Sequence, residues 1–283
     1  MTLLEATTYC REKLQSIYEE GEAAVISEWL IEYLTGIKKT DRVNQKNNML
    51  PEKQQLSMQS LLDRLLTHEP IQYVLNEAWF CGLKLYVDKN VLIPRPETEE
   101  LVEWIIANCK FPVDELKILD IGTGSGCISI ALKRRVRKAE VWSCDVSDGA
   151  LMVAKKNAAA LGTEINFLQL DFLDEQQVSS LPSFDIIVSN PPYVPVKDKA
   201  QMQPNVVNYE PATALFVPDN DPLVFYKAIA AFGKQKLNPG GVIYFEIHEG
   251  LAASTIDLLQ SSGYTAELKK DMQGKDRMIR ASF

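Results

Sequence analysis

Hydrophobic residues keep helical spacing over the first 67 positions of this chain and then change period. Leu3, Ala6, Tyr9, Leu14 and Ile17 recur near the repeat that puts side chains on one helix face. Residues 22–34 gather Ala, Val, Ile, Trp and Leu into a second helix. Pro51 suits a first helical position, and Leu56, Leu61, Leu62, Leu65 and Leu66 make the apolar stripe of a third. Helices this short are marginal alone and must pack on one another, so residues 1–70 are expected to form a small all-α domain. Residues 73–93 read as a hairpin turning near Asp88-Lys89-Asn90, the core of an expected interdomain linker over 71–97. From Thr98 onward strands alternate with helices, which implies a parallel sheet with crossovers over 98–283. Within it, residues 221–237 read as a helix closed by Asn238-Pro239-Gly240-Gly241. Residues 242–247 follow as a strand, and 264–270 with 277–283 as a final antiparallel pair.

Three of the expected strands end in residues with chemical capacity. Lys117-Ile118-Leu119-Asp120-Ile121 runs into Gly122-Thr123-Gly124-Ser125-Gly126, and glycines let a backbone turn sharply and approach a ligand that a Cβ would block. The spacing differs from the dinucleotide fingerprint Gly-x-Gly-x-x-Gly. The next strand ends at Asp145, whose carboxylate can accept both hydroxyls of a ribose. Residues 166–170 alternate as a third strand and end in Asp171-Phe172. That pair reads equally as a site for an adenine amine and ring or as a helix cap followed by a core aromatic. The apolar run Phe184-Asp185-Ile186-Ile187-Val188-Ser189 ends abruptly in Asn190-Pro191-Pro192-Tyr193. Two prolines stiffen that loop and remove two backbone donors. The carbonyls of Asn190 and Pro191, with the Asn190 side chain and an aromatic ring, can hold a planar –NH2 group. A rigid surface turn is the plainer reading of Asn-Pro. The glycine turn, the acid and Asn-Pro-Pro-Tyr, each at a strand end and in this order, favour a nucleoside site beside an amino-group site.

In these motifs the chain resembles the class I S-adenosylmethionine-dependent methyltransferases, and among them the HemK/PrmC family. That family methylates the glutamine side-chain amide of the Gly-Gly-Gln motif in peptide-chain release factors. The resemblance extends to Ile93-Pro94-Arg95-Pro96-Glu97-Thr98-Glu99, to Tyr209-Glu210-Pro211-Ala212-Thr213-Ala214-Leu215 and to the stretch from Pro70 to Phe80. It covers the chain from about Pro70 to the C-terminus. Two positions depart from the pattern: Asn76 stands where a glycine is expected in the hairpin region, and His248 where a small residue is expected. The resemblance implies a Rossmann-like α/β fold with a seven-stranded, mostly parallel sheet behind the N-terminal helical domain. It implies S-adenosylmethionine as cofactor and S-adenosylhomocysteine as product, held by Gly122, Thr123, Gly124, Ser125, Gly126, Asp145, Asp171, Phe172 and Asn190. Asn190, Pro191 and Tyr193 are the implied catalytic residues, with Pro192 shaping the substrate slot. Methylation of amino groups on DNA or RNA bases is the alternative, since the same loop serves any planar amino group.

The bulk properties narrow the choice. The formal charge of −8 argues against a broad electropositive face for duplex nucleic acid, so no stable nucleic-acid binding is expected. Lys133-Arg134-Arg135-Val136-Arg137-Lys138 is a local basic cluster that suits a helix C-terminus. A hydrophobic content of 46% and a charged content of 24% are ordinary for a globular protein, and no apolar stretch reaches membrane-spanning length. Five scattered cysteines without a Cys-x-x-Cys pair fit reduced thiols in a cytoplasm. His68 and His248 are far apart in sequence, and no metal site is expected. A cytoplasmic monomer acting on release factors is the resulting expectation.

Overall fold

The computed structural model describes residues 1–109 and 116–283. The chain divides into two compact units, residues 1–77 with 203–209, and residues 78–202 with 210–283.

The smaller unit is helical: Leu3–Leu14, Glu20–Thr35, Lys39–Gln45, Glu52–Leu65 and Ile71–Leu75. The first helix opens on a capping box, in which Thr2 Oγ1 accepts from Glu5 N and Glu5 Oε2 accepts from Thr2 N. Its core gathers Leu3, Ala6, Cys10 and Leu14 with Leu30, Ile31, Met58 and Leu62. The expected stripe on the fourth helix is corrected at its start. Leu56 is 70% exposed, and the buried positions are Met58, Leu62 and Leu65. Pro51 caps that helix rather than opening it. A further helix, Ile71–Leu75, stands where the hairpin was expected to begin. It ends on Asn76 at φ +54°. Asparagine is among the few residues that tolerate this left-handed conformation, so it fills the glycine position without changing the cap.

The hairpin is shorter than expected. Ala78–Phe80 pairs with Leu83–Leu85, the turn falls at Cys81-Gly82, and residues 88–93 form no strand. Phe80 and Leu85 are buried in the core of the larger unit with Leu101, Ile105 and Ile128, so the hairpin is built into that unit instead of forming a free hinge.

The sheet of the larger unit has seven strands. Across it run Thr265–Lys270, Asp276–Ser282, Leu237–Glu246, Phe184–Ser189, Lys117–Ile121, Glu140–Asp145 and Asn166–Gln169. The five strands from Leu237–Glu246 to Asn166–Gln169 are parallel; the other two pair antiparallel. Strand order reverses between Lys117–Ile121 and Phe184–Ser189, and ligands of open α/β sheets bind beyond the carboxyl ends at such a point. In register, Ile121 faces both Cys144 and Ser189. The next residue along each strand is therefore Gly122, Asp145 or Asn190, all at one edge. The expected loop at 238–241 lies inside the Leu237–Glu246 strand as an irregularity in pairing. Asp185 ties that end of the sheet, accepting from Lys117 N at 2.7 Å and from Asn238 Nδ2 at 2.8 Å. The preceding helix is Val224–Lys236, three residues shorter at its start than expected.

The basic cluster serves helix ends. Lys133 donates to the Ala139 carbonyl and Arg134 to that of Leu161, while Arg135 pairs with Glu103. All five cysteines are free thiols.

Candidate active site

The glycine turn owes its shape to three left-handed residues: Gly122 at φ +74°, Gly124 at +53° and Gly126 at +81°. A Cβ on Gly122 or Gly124 would meet nothing within 4 Å, whereas one on Gly126 would lie 3.0 Å from Ile130 Cδ1. The first two glycines thus leave open space before the turn, and the third allows close packing behind it. Gly122 N and Thr123 N donate to the Cys144 carbonyl, locking the turn to the neighbouring strand.

Asp145 is drawn into this frame. Its Oδ2 accepts from Gly124 N and its Oδ1 from Ser147 N, both at 2.9 Å. Burial raises its pKa, and these N–H groups partly offset that rise. Below the turn lies Asp120, fully buried. Its Oδ2 accepts from Thr123 Oγ1 at 2.8 Å, and Ser143 Oγ donates onward to Thr123 Oγ1 at 2.5 Å. Burial pushes the Asp120 carboxyl up to about 6 against the pull of the Thr123, Ser129 and Ser143 hydroxyls. Its Oδ1 has no hydrogen-bond partner among the described residues. Sequence reasoning missed Asp120. The available signal was a carboxylate inside an otherwise apolar strand, one residue before the glycine turn.

At the third strand end Asp171 does not cap the following helix, whose N-cap is Asp174, and Phe172 is a core aromatic. Asp171 Oδ1 caps its own turn by accepting from Leu173 N at 2.9 Å. Phe172 packs edge-on to Phe232 with ring centroids 5.1 Å apart. Both residues also line a cavity of about 390 Å³.

That cavity collects most of the expected site. Gly122, Thr123, Gly124, Ser125, Asp145, Asn190, Pro191 and Pro192 line it. Gly126 and Tyr193 do not. Tyr193 is half-buried instead beside His248, ring centroids 5.9 Å apart, and its hydroxyl pKa is raised chiefly by burial. A larger open groove of about 680 Å³, bounded by Lys133, Glu140, Lys155 and Glu164, carries none of the expected residues.

Asn190 is held from behind. Ser189 Oγ donates to the Ile121 carbonyl at 2.8 Å, tying the two strand ends. Asn190 Nδ2 donates to Thr98 Oγ1 at 3.2 Å, and Thr98 Oγ1 donates to Glu246 Oε2 at 2.6 Å. Glu246 is buried, and burial pushes its carboxyl up to about 7 despite the Thr98 hydroxyl and Arg277. Arg95 and Thr213 also line the cavity. Arg95 Nη2 donates to the buried Glu210 Oε1 at 2.6 Å, and Ile93 N to Glu210 Oε2 at 3.3 Å. That pair joins the segment before the Pro96–Asn108 helix to the one after residue 209. The motifs containing Arg95, Thr98 and Glu210 were visible in the sequence, but their partnerships were not.

These groups fit S-adenosylmethionine. The open glycine positions would admit its backbone-hugging portion, and Asp145, on the cavity wall, could accept ribose hydroxyls. Among the described residues no cluster of His, Cys, Asp and Glu is arranged to hold a metal ion.

Comparison with known proteins agrees with this geometry. Residues 5–75 match the model of the PrmC N-terminal domain, and residues 98–209 that of the methyltransferase small domain. The release factor glutamine methyltransferase of Flavobacterium psychrophilum is 44% identical over 275 residues, 96% of each chain. That of Bacteroides thetaiotaomicron is 40% identical over 277 residues, 98% of each. The crystal structure of the hMettl16 catalytic domain, in complex with an RNA hairpin from a 3′UTR, aligns with a TM-score of 0.54 at 20% identity. The alignment covers 71% of this chain and 76% of that one; it speaks to the fold alone. With matches over nearly its whole length and a glycine turn, an acid and Asn-Pro-Pro-Tyr around one cavity, the chain belongs to the release factor glutamine methyltransferase family.

Proposed function

We propose that this chain transfers a methyl group from S-adenosylmethionine to the side-chain amide nitrogen of the glutamine in the Gly-Gly-Gln motif of peptide-chain release factors. The observation that carries the reading is the position of Asn190 and Pro191 on the same cavity as the glycine turn and Asp145. The cofactor, held by Gly122 to Ser125, Asp145, Asp171 and Phe172 with Gly126 packed behind, supplies an electrophilic methyl on a sulfonium. The glutamine amide is a poor nucleophile because its lone pair is delocalised into the carbonyl. The chain's task is therefore positioning and stabilisation of charge. Asn190 Oδ1 and the Pro191 carbonyl accept the two N–H groups of the amide, which orients its nitrogen and stabilises the positive charge that develops there. The nitrogen gains the methyl and loses one proton to solvent. Such orientation is worth roughly 7–11 kcal/mol in well-aligned model reactions.

Pro192 shapes the slot. Tyr193 lies off the cavity, packed beside His248, so its contribution is support of the loop, and the amide contact expected from sequence would need its ring to turn toward the slot. Residues 1–70 recognise the folded release factor, residues 71–97 connect, and 98–283 carry the chemistry. No helix among the described residues is long and apolar enough to cross a membrane, and we place the activity in the cytoplasm, where release factors work.

Incubation with methyl-labelled cofactor and an intact release factor, DNA or RNA tests the reading. Label on the Gly-Gly-Gln glutamine is expected. Label on nucleic acid instead would overturn the substrate assignment and leave the fold untouched.

A further inference from the structure

A carboxamide has two faces of opposite polarity, and exchanging them needs only a rotation of the group. If Asn190 turned its NH2 toward the cavity, it would confront the substrate's own NH2 with donors and disable the site. The protein must therefore hold the group one way round. The proton count along Asn190, Thr98 and Glu246 does this. Thr98 has a single hydroxyl proton. An ionised carboxylate can only accept, so that proton goes to Glu246 Oε2, 2.6 Å away. Thr98 Oγ1 then presents only lone pairs to Asn190, whose Nδ2 lies 3.2 Å away. The other end of the amide, Oδ1, has no partner among the described residues, and Asn190 lines the cavity. Thr98 is 2% exposed and Glu246 2%, so water does not compete for the bond between them.

We propose that Thr98 and Glu246 are positioning residues that fix the polarity of the Asn190 carboxamide, so that it presents oxygen and never NH2 to the methyl-accepting amide. This rests on the function proposed above and deepens it. Thr98 comes from the first turn of the Pro96–Asn108 helix and Glu246 from the end of the Leu237–Glu246 strand. Thr98 borders the cavity and Glu246 does not line it, and both act through Asn190.

The chain of bonds works only while Glu246 is ionised. A protonated Glu246 can donate to Thr98, which frees the Thr98 hydroxyl to donate to Asn190 Oδ1 and reverses the amide. The groups around Glu246 set that balance. Arg277 and Arg95 favour the charged form, whereas Glu97 and burial oppose it. Tyr193 and Tyr226 also face it, and the Tyr226 hydroxyl donates to the Glu246 carbonyl at 3.1 Å. With the carboxyl pushed up to about 7, the productive polarity fades as pH falls below that value.

The test compares wild type, Thr98→Val, Thr98→Ser and Glu246→Gln on an intact release factor, with S-adenosylhomocysteine titrated calorimetrically into each. Valine keeps the size of threonine without the hydroxyl, and serine keeps the hydroxyl. Thr98→Val is expected to lower kcat by about 10–100-fold, the scale of losing one oriented polar contact in a transition state. Its KM for the release factor and its affinity for S-adenosylhomocysteine should stay within about twofold of wild type, the signature of a term felt only in turnover. Thr98→Ser should recover most of the rate. Wild-type kcat/KM should fall on the acid side of about pH 7, and this limb should be lost in Thr98→Val and Glu246→Gln. Wild-type turnover in Thr98→Val, equal impairment of valine and serine variants, or an acid limb that survives Thr98→Val would overturn the inference. A wild-type enzyme that methylates no release factor would instead overturn the proposed function, and the two failures are told apart by the wild-type reaction alone.

Discussion

At the scale of single residues the site separates those that touch substrate from those that shape the loop. Asn190→Ala removes one acceptor aimed at developing charge, so kcat should drop roughly 100-fold while calorimetric affinity for S-adenosylhomocysteine is retained. Unchanged turnover would remove Asn190 from the mechanism. Tyr193 packs beside His248 through its ring, and among the described residues no hydrogen bond of its hydroxyl supports the loop. Tyr193→Phe should therefore be milder than Tyr193→Ala in kcat. Gly126 combines φ +81° with a would-be Cβ contact of 3.0 Å to Ile130. Gly126→Ala should destabilise by about 1–3 kcal/mol, measured by chemical denaturation. Gly124→Ala meets no protein atom and should cost mainly cofactor affinity and backbone strain. The glycines, Asp145 and Asn190 were legible because each ends an apolar run with a residue whose chemistry is unusual there. Asp120, Thr98 and Glu246 were not singled out. A polar residue within an apolar segment reads as noise until its partners, far along the chain, are known.

At the scale of elements, periodicity located helices and strands well and misjudged their faces and joints. The fourth helix buries Met58 rather than Leu56, because several stripes fit its leucines and only packing against the first two helices selects one. The hairpin turned earlier because Cys81 and Gly82 both adopt positive φ, a turn that Asp88-Lys89-Asn90 outcompetes on composition alone. One element joint governs the cofactor site. Asn157, buried in the Asp148–Ala160 helix, accepts from Tyr86 N at 2.7 Å and donates to the carbonyls of Tyr86 and Ser125, each at 2.9 Å. It thereby braces the glycine turn against the segment that follows the hairpin. Asn157→Ala strands these groups at about 1–3 kcal/mol apiece. The melting temperature and the affinity for S-adenosylhomocysteine should fall together. A stable variant with full affinity would show that the brace is not needed.

At the scale of the whole molecule, the larger unit carries buried carboxylates whose ionisation opposes folding. Glu246 moves from an ordinary value of 4.5 to about 7 when folded. Between those values the native state binds more protons than the unfolded state, so stability falls as pH rises through that window. The cost is complete above about 7 and absent below about 4.5. Glu246→Gln removes it. The variant's melting temperature relative to wild type should therefore be higher at about pH 8 than at about pH 5, and an equal difference at both would count against this ionisation. Recognition also belongs to this scale. A short Gly-Gly-Gln peptide should be a far poorer substrate than the intact release factor, seen as a higher KM, if residues 1–70 recognise the folded protein. What the sequence by itself determined was local: helical and strand periods, a glycine turn whose φ values other residues resist, a stiffened Asn-Pro-Pro loop, and their order along the chain. That order, with the family's motifs, was enough for fold class and chemistry. The tertiary structure alone decided which strand ends meet, because parallel register aligns Gly122, Asp145 and Asn190 only once the sheet reverses direction. It also decided the hydrogen bonds that orient the site. Thr98 meets Glu246 across 148 residues and Asn190 across 92, and Arg95 meets Glu210 across 115. No local propensity encodes such pairs; they exist because closing the core brings a helix start, a strand end and two loops to one edge.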